Sequence, residues 1–233
     1  MEDEQKLNLL RLAVNNASDF DEAKSYASFI LGDRAFPVAH ITRTDDGDGC
    51  TKAVKEGGVY IVAKGLPPVP FGAVGVVQDP EKFNVMVRYR GHKWVVAKED
   101  LKGDELPLFS DDSHPEDTSS FYKREIEALN DFDMKSCTEH LRKAGIAFEL
   151  DADLYIPTAG QLAAMYLYQK ELNKALEMVG GTPMKKEVYW SSSEHNAWNS
   201  WLVSFDSGGV NGWNAKYYGF YVRPCTAFEL KKK

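Results

Sequence analysis

The chain has 233 residues, enough for one large or two small domains with an ample core. Its hydrophobic fraction of 43% and charged fraction of 27% are those of an ordinary globular protein, and a net charge of −7 is opposite in sign to the basic footprint of a general nucleic-acid binder. No apolar run reaches the ~20 residues of a membrane-spanning helix, so neither nucleic acid nor membrane insertion is expected.

The first 58 residues read as an N-terminal helical segment. MEDEQKLNLLRLAV lacks the basic region and cleavage site of a secretory signal, so the protein is expected inside a cell, or outside it by a non-secretory route or after removal of a leader. Residues 6–31 have helical character, with Ser18 able to cap, an apolar stripe at Phe20, Ala23, Ala27 and Ile30, and Gly32 as the stop. TRTDDGDG before Cys50 is a loop.

From Val59 the period changes to two. VYIVA, AVGVV, NVMVRYR and KWVVA read as strands, with Asp79–Pro80 and Gly91–His92 as turns, so 73–98 is predicted to be a meander of hairpins within a strand region at 59–102. Residues 103–117 carry six acidic residues, Pro107 and Pro115 with no Lys or Arg, and read as a solvated linker or inserted loop. Ser136-Cys-Thr-Glu139 reads as a capping box before a short helix ending at Gly145. Thr158-Ala-Gly-Gln161 reads as another, opening one long helix that carries Leu162, Met165, Leu172, Leu176 and Val179 and closes at Gly180–Gly181. Short strands are expected at Val188–Trp190, Ser200–Phe205 and Gly219–Arg223, with Trp201, Val203 and Phe205 on one inward face.

Three cysteines, Cys50, Cys137 and Cys225, are odd in number and far apart, and reduced buried thiols are expected. The five histidines show no metal-ligand spacing; Cys137 and His140 share a helix face but do not make a zinc site. Asp45-Asp46-Gly-Asp48-Gly49 lacks the alternating ligands and closing Glu of a calcium loop. No glycine-rich loop supports nucleotide binding, and Ser191–Ser193 with Glu194 and His195 match no triad context. Neither metal nor cofactor is expected. The basic set Arg88, Arg90, His92 and Lys93 straddles a turn and reads as a solvated tip.

The strongest functional signal lies between His195 and Tyr221, where eight aromatic residues occupy 27 positions among Asn, Ser and Gly. Rings supply contact area at low entropy cost and small polar residues supply adaptable hydrogen bonds, the chemistry of antibody-type surfaces. The segment's charges are Asp206 and Lys216, which cancel. Trp190, Trp201, Phe205 and Val222 read as core. Asn211-Gly-Trp-Asn214 and Tyr217-Tyr-Gly-Phe-Tyr221 are too continuous to bury on one strand face, so rings at the surface are expected to mark a binding site. The candidate ligand-binding residues are His195, Asn196, Trp198, Asn199, Ser200, Asn211, Trp213, Asn214, Tyr217, Tyr218 and Phe220.

YIPTAGQL (155–162), YWSSSE (189–194), WLVSF (201–205) and YVRPCTAF (221–228) resemble the closing half of C-type-lectin-fold domains of bacteria and phages, in the formylglycine-generating-enzyme-like branch. Within it the best likeness is to the variable proteins of diversity-generating retroelements, which include phage tropism determinants. The resemblance covers 118–228 well and extends back through the strands from Val59, which implies a C-type-lectin-like α+β domain over 59–233.

The resemblance further implies recognition of a protein or cell-surface ligand, at a phage tail tip or on a bacterial surface. Such retroelements mutate adenines, mostly in Asn codons. His195, Asn196, Ala197, Asn199, Ser200, Asn211, Gly212, Asn214, Tyr217, Tyr218, Gly219 and Phe220 hold residues reachable that way, whereas Trp198, Trp213 and Lys216 do not. Cys225 stands alone where the enzymes of this branch need a cysteine pair, and Trp213–Asn214 is followed by Ala215 rather than the Asp of calcium-dependent lectins. An enzyme and a calcium lectin are therefore disfavoured, and a structural or assembly domain of the same fold is the alternative.

Overall fold

The computed structural model describes residues 39–40, 57–64, 66, 68–77, 79–102, 105–110 and 121–228. The expected helix at 6–31, the acidic loop before Cys50, and Cys50 itself lie outside them. The first strands in chain order are β1 (Ala39–His40), β2 (Gly57–Ala63), β3 (Val69–Pro70), β4 (Val76–Val77), β5 (Phe83–Tyr89), β6 (His92–Val96) and β7 (Leu106–Pro107). Helices α1 (Glu125–Leu129), α2 (Met134–Ala144), α3 (Ala159–Leu167) and α4 (Gln169–Met178) follow. The chain closes through β8 (Val188–Glu194), β9 (Asn199–Ser204), β10 (Val210–Ala215), β11 (Gly219–Phe220) and β12 (Cys225–Ala227). The fold is α+β, with its helices packed on antiparallel sheets.

The Val-rich alternation builds a five-stranded sheet in the order β12-β6-β5-β2-β3. Both faces are covered. Val59, Ile61, Val85, Val87, Trp94 and Val96 join the main core, against Leu172, Ala175 and Leu176 of α4, while Tyr60, Val62 and Met86 pack on the other side with Val95 and Phe228. Burying each such side chain contributes about 1.5–3 kcal/mol, so this face-to-face packing is the main source of stability. The β5–β6 hairpin turns at Arg90–Gly91, where both residues have positive φ. The AVGVV run does not join this meander. Val76–Val77 pairs with Ala39–His40, Phe71–Ala73 is a 3₁₀ turn, and β5 pairs directly with β2. Of the expected run only Val76–Val77 is strand, and a short apolar run could not name its partner.

Two helix expectations change. The cap of α2 is Asp133, whose carboxylate accepts the Ser136 N–H at 3.0 Å and the Ser136 hydroxyl at 2.7 Å, so Ser136 and Glu139 lie inside the helix. The same short polar residues can cap one turn apart, and Asp133 sits at the turn where the chain enters. Gly145 does end the helix, in the left-handed region at φ 88°. The Thr158–Gln161 box is reciprocal as expected, with Gln161 N–H donating to Thr158 Oγ1 and Thr158 N–H to Gln161 Oε1. The long helix is two, because Tyr168 leaves helical geometry (φ −101°, ψ 16°) and ends α3 while opening α4. Its ring meets Tyr89 edge-on at 6.4 Å.

The 103–117 stretch is not a solvated linker throughout. β7 pairs with β11, and Leu108 and Phe109 are buried in a second core with Leu141, Ile156, Trp190, Leu202 and Val222. That core sits between α2 and the three-stranded sheet of order β10-β9-β8. On β9 Trp201 and Val203, and Phe205 just after it, are buried as expected, yet Leu202 is buried too, because both faces of the strand are covered. Strands β10 and β12 were not foreseen. β10 is interrupted by Gly212 and a bulge between Asn211 and Asn214, and β12 is only three residues long.

Candidate functional site

The candidate surface grows from three serines. Ser191 Oγ donates to Trp201 O at 2.7 Å, Ser192 Oγ to Ile156 O at 2.9 Å and Ser193 Oγ to Asp131 Oδ2 at 2.8 Å. All three are buried and spent on holding β8 against β9, the start of α3 and the loop after α1. Ser193 Oγ also accepts the Ala159 N–H, one of the free donors at the N-terminus of α3. Cys137 donates to Asp131 as well, at 3.4 Å, and burial with the nearby carboxylate pushes its thiol up. Cys137 and Cys225 are both free and buried.

Beyond Glu194 the chain makes a short loop, residues 195–198, before returning as β9. Asn196 organises it. Its Oδ1 accepts from Trp198 N at 2.8 Å, Asn199 N at 2.8 Å and Asn199 Nδ2 at 3.2 Å. This self-contained turn chemistry is what Asn offers a tight loop. Trp198 projects from it, 54% exposed. On the outer strand Asn211 Oδ1 accepts from Trp213 N at 2.8 Å, and Asn211 O accepts from Asn214 Nδ2 at 3.2 Å, which fixes the bulge that displays Trp213. Trp213 is 75% exposed, with its ring resting on His195 at 4.4 Å. After β10 come Tyr217 and Tyr218, both exposed and edge-on to each other at 4.8 Å.

Trp198, Asn211, Trp213, Tyr217 and Tyr218 thus lie at the surface on two adjoining segments, with Asn196, Asn199 and Asn214 half-buried beside them. Three sequence candidates are corrected. Ser200 is fully buried and donates to Ser193 O at 2.9 Å, because its position on the central strand points it inward. His195 is 7% exposed, wedged between Trp201 at 5.4 Å and Trp213, so it supports a ring and does not present one. Burial holds its imidazole below the usual histidine range. Phe220 is half-buried, edge-on to Trp190 at 5.0 Å.

The sequence reading missed a buried ion pair beneath these rings. Lys216 is fully buried and bonds Glu194, itself 3% exposed, through Nζ and Oε1. No spacing rule links residues 22 apart, one at the end of β8 and the other in the turn after β10, so only the fold brings them together. Ile126 was also missed. It is exposed on α1, the helix that packs beside β10. Among the described residues no group of three or more His, Cys, Asp or Glu is placed to hold a metal ion, and no helix is long and apolar enough to cross a membrane.

No protein-family model matches the chain, and no curated protein sequence does. Among solved structures it is similar to a fimbrial protein from Bacteroides ovatus, with 20% sequence identity and a TM-score of 0.44, over 59% of this chain and 36% of that one. The chain therefore matches little more than a third of that protein's length.

Proposed function

We propose that the protein recognises a ligand or receptor through the exposed rings Trp198, Trp213, Tyr217 and Tyr218, on a C-type-lectin-like scaffold of the retroelement-diversified kind. The observation that carries this reading is four large exposed rings from two short segments, one on β10 and three on the loops beside it, over a sheet whose central strand is fully packed. Exposed aromatic surface of this kind has a solvation cost that a partner removes.

The scaffold part rests on the four motifs that carry the resemblance. They adjoin in space: Tyr155 and Cys225 exchange backbone hydrogen bonds at 2.8 Å, Tyr189 bridges Tyr221, and β8 pairs with β9. The ligand expected is a protein or cell-surface molecule without strong charge. Within 195–221 Lys216 is buried, which leaves Asp206 as the exposed charged side chain of the segment. Recognition through neutral rings and amides depends little on electrostatic steering, so affinity should change little with salt.

The test is a panel of labelled bacterial cells and surface-glycan arrays probed with the wild-type protein and a Trp213→Ala/Tyr218→Ala variant. Binding by the wild type and loss in the variant, at unchanged melting temperature, is the expected result. Equal binding by both would make this face inert and favour a structural domain. The diversification part is read from the coding locus: a near-copy of the segment for 190–224 beside a reverse transcriptase gene, differing at adenines, is expected.

A further inference from the structure

We infer that Lys216 is a positioning residue for this recognition face, and that its buried pair with Glu194 is the brace that sets where Trp198 and Tyr217 stand. The inference rests on reading those rings as a binding surface. Its geometry is independent of any ligand.

Trp198 is held at its own N–H and carbonyl and at the carbonyl before it. Its N–H donates to Asn196 Oδ1, its own carbonyl accepts the Lys216 N–H at 3.0 Å, and the preceding carbonyl, of Ala197, accepts Lys216 Nζ at 3.0 Å. Two of the three contacts therefore come from one residue. Tyr217 and Tyr218 follow that residue directly, so the two exposed segments share a single anchor. The anchor is tied inward as well. Lys216 O accepts the Phe109 N–H at 3.1 Å, and Nζ lies 5.4 Å from the Phe109 ring. Glu194 O accepts the Tyr122 N–H at 2.9 Å, and Glu194 Oε2 lies 3.4 Å from His140 Nε2 on α2.

A buried ion pair is a poor choice for stability alone. Desolvating both charges cancels most of their attraction, and apolar replacement of the whole pair is often neutral or stabilising. What the pair supplies here is direction. An apolar side chain at 216 would fill the same space but could not donate to Ala197 O, and the loop would lose one of its fixed points.

The experiment uses the full chain with fluorinated tryptophan, which reports on Trp94, Trp190, Trp198, Trp201 and Trp213 separately. A Glu194→Leu/Lys216→Met variant is expected to unfold cooperatively within about 5 °C of the wild type. Lys216→Met alone, which strands the glutamate, should melt below the double variant. In the double variant the Trp198 fluorine line should shift, and exchange of the amides of Trp198 and of Tyr218, which donates to Ala215 O at 2.9 Å, should rise at least about tenfold. The Trp94 and Trp190 lines should stay in place. An unchanged Trp198 line with unchanged local exchange would overturn the brace, as would global unfolding of the double variant. Because all readouts are taken on the free protein, failure here leaves the binding reading standing, and an inert face would leave the brace standing.

Discussion

Trp201 and Trp213 sit on neighbouring strands of one small sheet, and their environments could hardly differ more. Trp201, 6% exposed, packs with Ala128 of α1 and Ala159 of α3 and donates Nε1 to Tyr122 O at 2.8 Å. Trp213, 75% exposed, leans on His195 and is otherwise open to water. The difference lies in strand order. β9 is the central strand and has cover on both faces, whereas β10 is the outer strand, and its bulge turns the Trp213 ring away from the core. The same residue type thus serves packing on one strand and presentation on the next. What separates the two roles is tertiary cover, not chemistry.

The largest expected effect tests the packed side. Trp201→Ala should cost about 3–5 kcal/mol in equilibrium unfolding, as a core truncation that also orphans Tyr122 O. A loss under about 1 kcal/mol would place Trp201 with the presented rings. On the presented side, Trp213→Ala should weaken binding to the proposed ligand by about 2–4 kcal/mol, as loss of an anchor ring does. Its unfolding free energy should move by no more than about 0.5 kcal/mol, as for an exposed substitution. Unfolding and binding measured on the same preparation separate the two effects.

The boundary between the two sides runs through Gly212. A Cβ there would stand 2.9 Å from the Trp201 ring and 3.0 Å from His195 Cδ2. Gly212→Ala should therefore cost about 1–3 kcal/mol by overpacking, and it should disturb Trp213 through the displaced imidazole. An alanine tolerated without loss would mean that the contact relaxes freely.

The smallest effect is a pH slope. Because burial holds His195 below its usual value of 6.5, the unfolded chain takes up the proton first as pH falls. The stability contributed by neutral His195 is complete above that value and is lost progressively below it. Urea unfolding at about pH 7.5 and about pH 5.5 should show a decrease that His195→Gln reduces. An identical slope in the variant would remove His195 from the interior.

Much of the scaffold was legible. The valine alternation at 59–63, 84–89 and 93–96 becomes sheet because period two matches a pleated strand with cover on both faces, and the Thr158–Gln161 box opens a helix as its reciprocal bonds require. AVGVV failed for the opposite reason: a short apolar run carries no address for its partner strand. The acidic 103–117 stretch misled because Leu106–Phe109, four residues in a charged background, is docked by a strand more than 100 residues later. In the candidate site, density of rings and amides located the surface, but His195, Ser200 and Phe220 show that composition does not assign a side chain to one face or the other.

By itself the sequence determined a mixed α and β chain, a helix start at Thr158, a stop at Gly145, and a region where aromatic rings outnumber what one strand face can bury. Local chemistry suffices for these, since caps, alternation and ring density act within a few residues. Only the tertiary structure decided that β9 lies inside and β10 outside, that Asn196 and Asn211 serve their own turns, and that Lys216 meets Glu194 beneath the rings. Those outcomes depend on contacts between segments far apart in the chain, where burial and hydrogen-bond satisfaction are settled by the whole fold and not by neighbours in sequence.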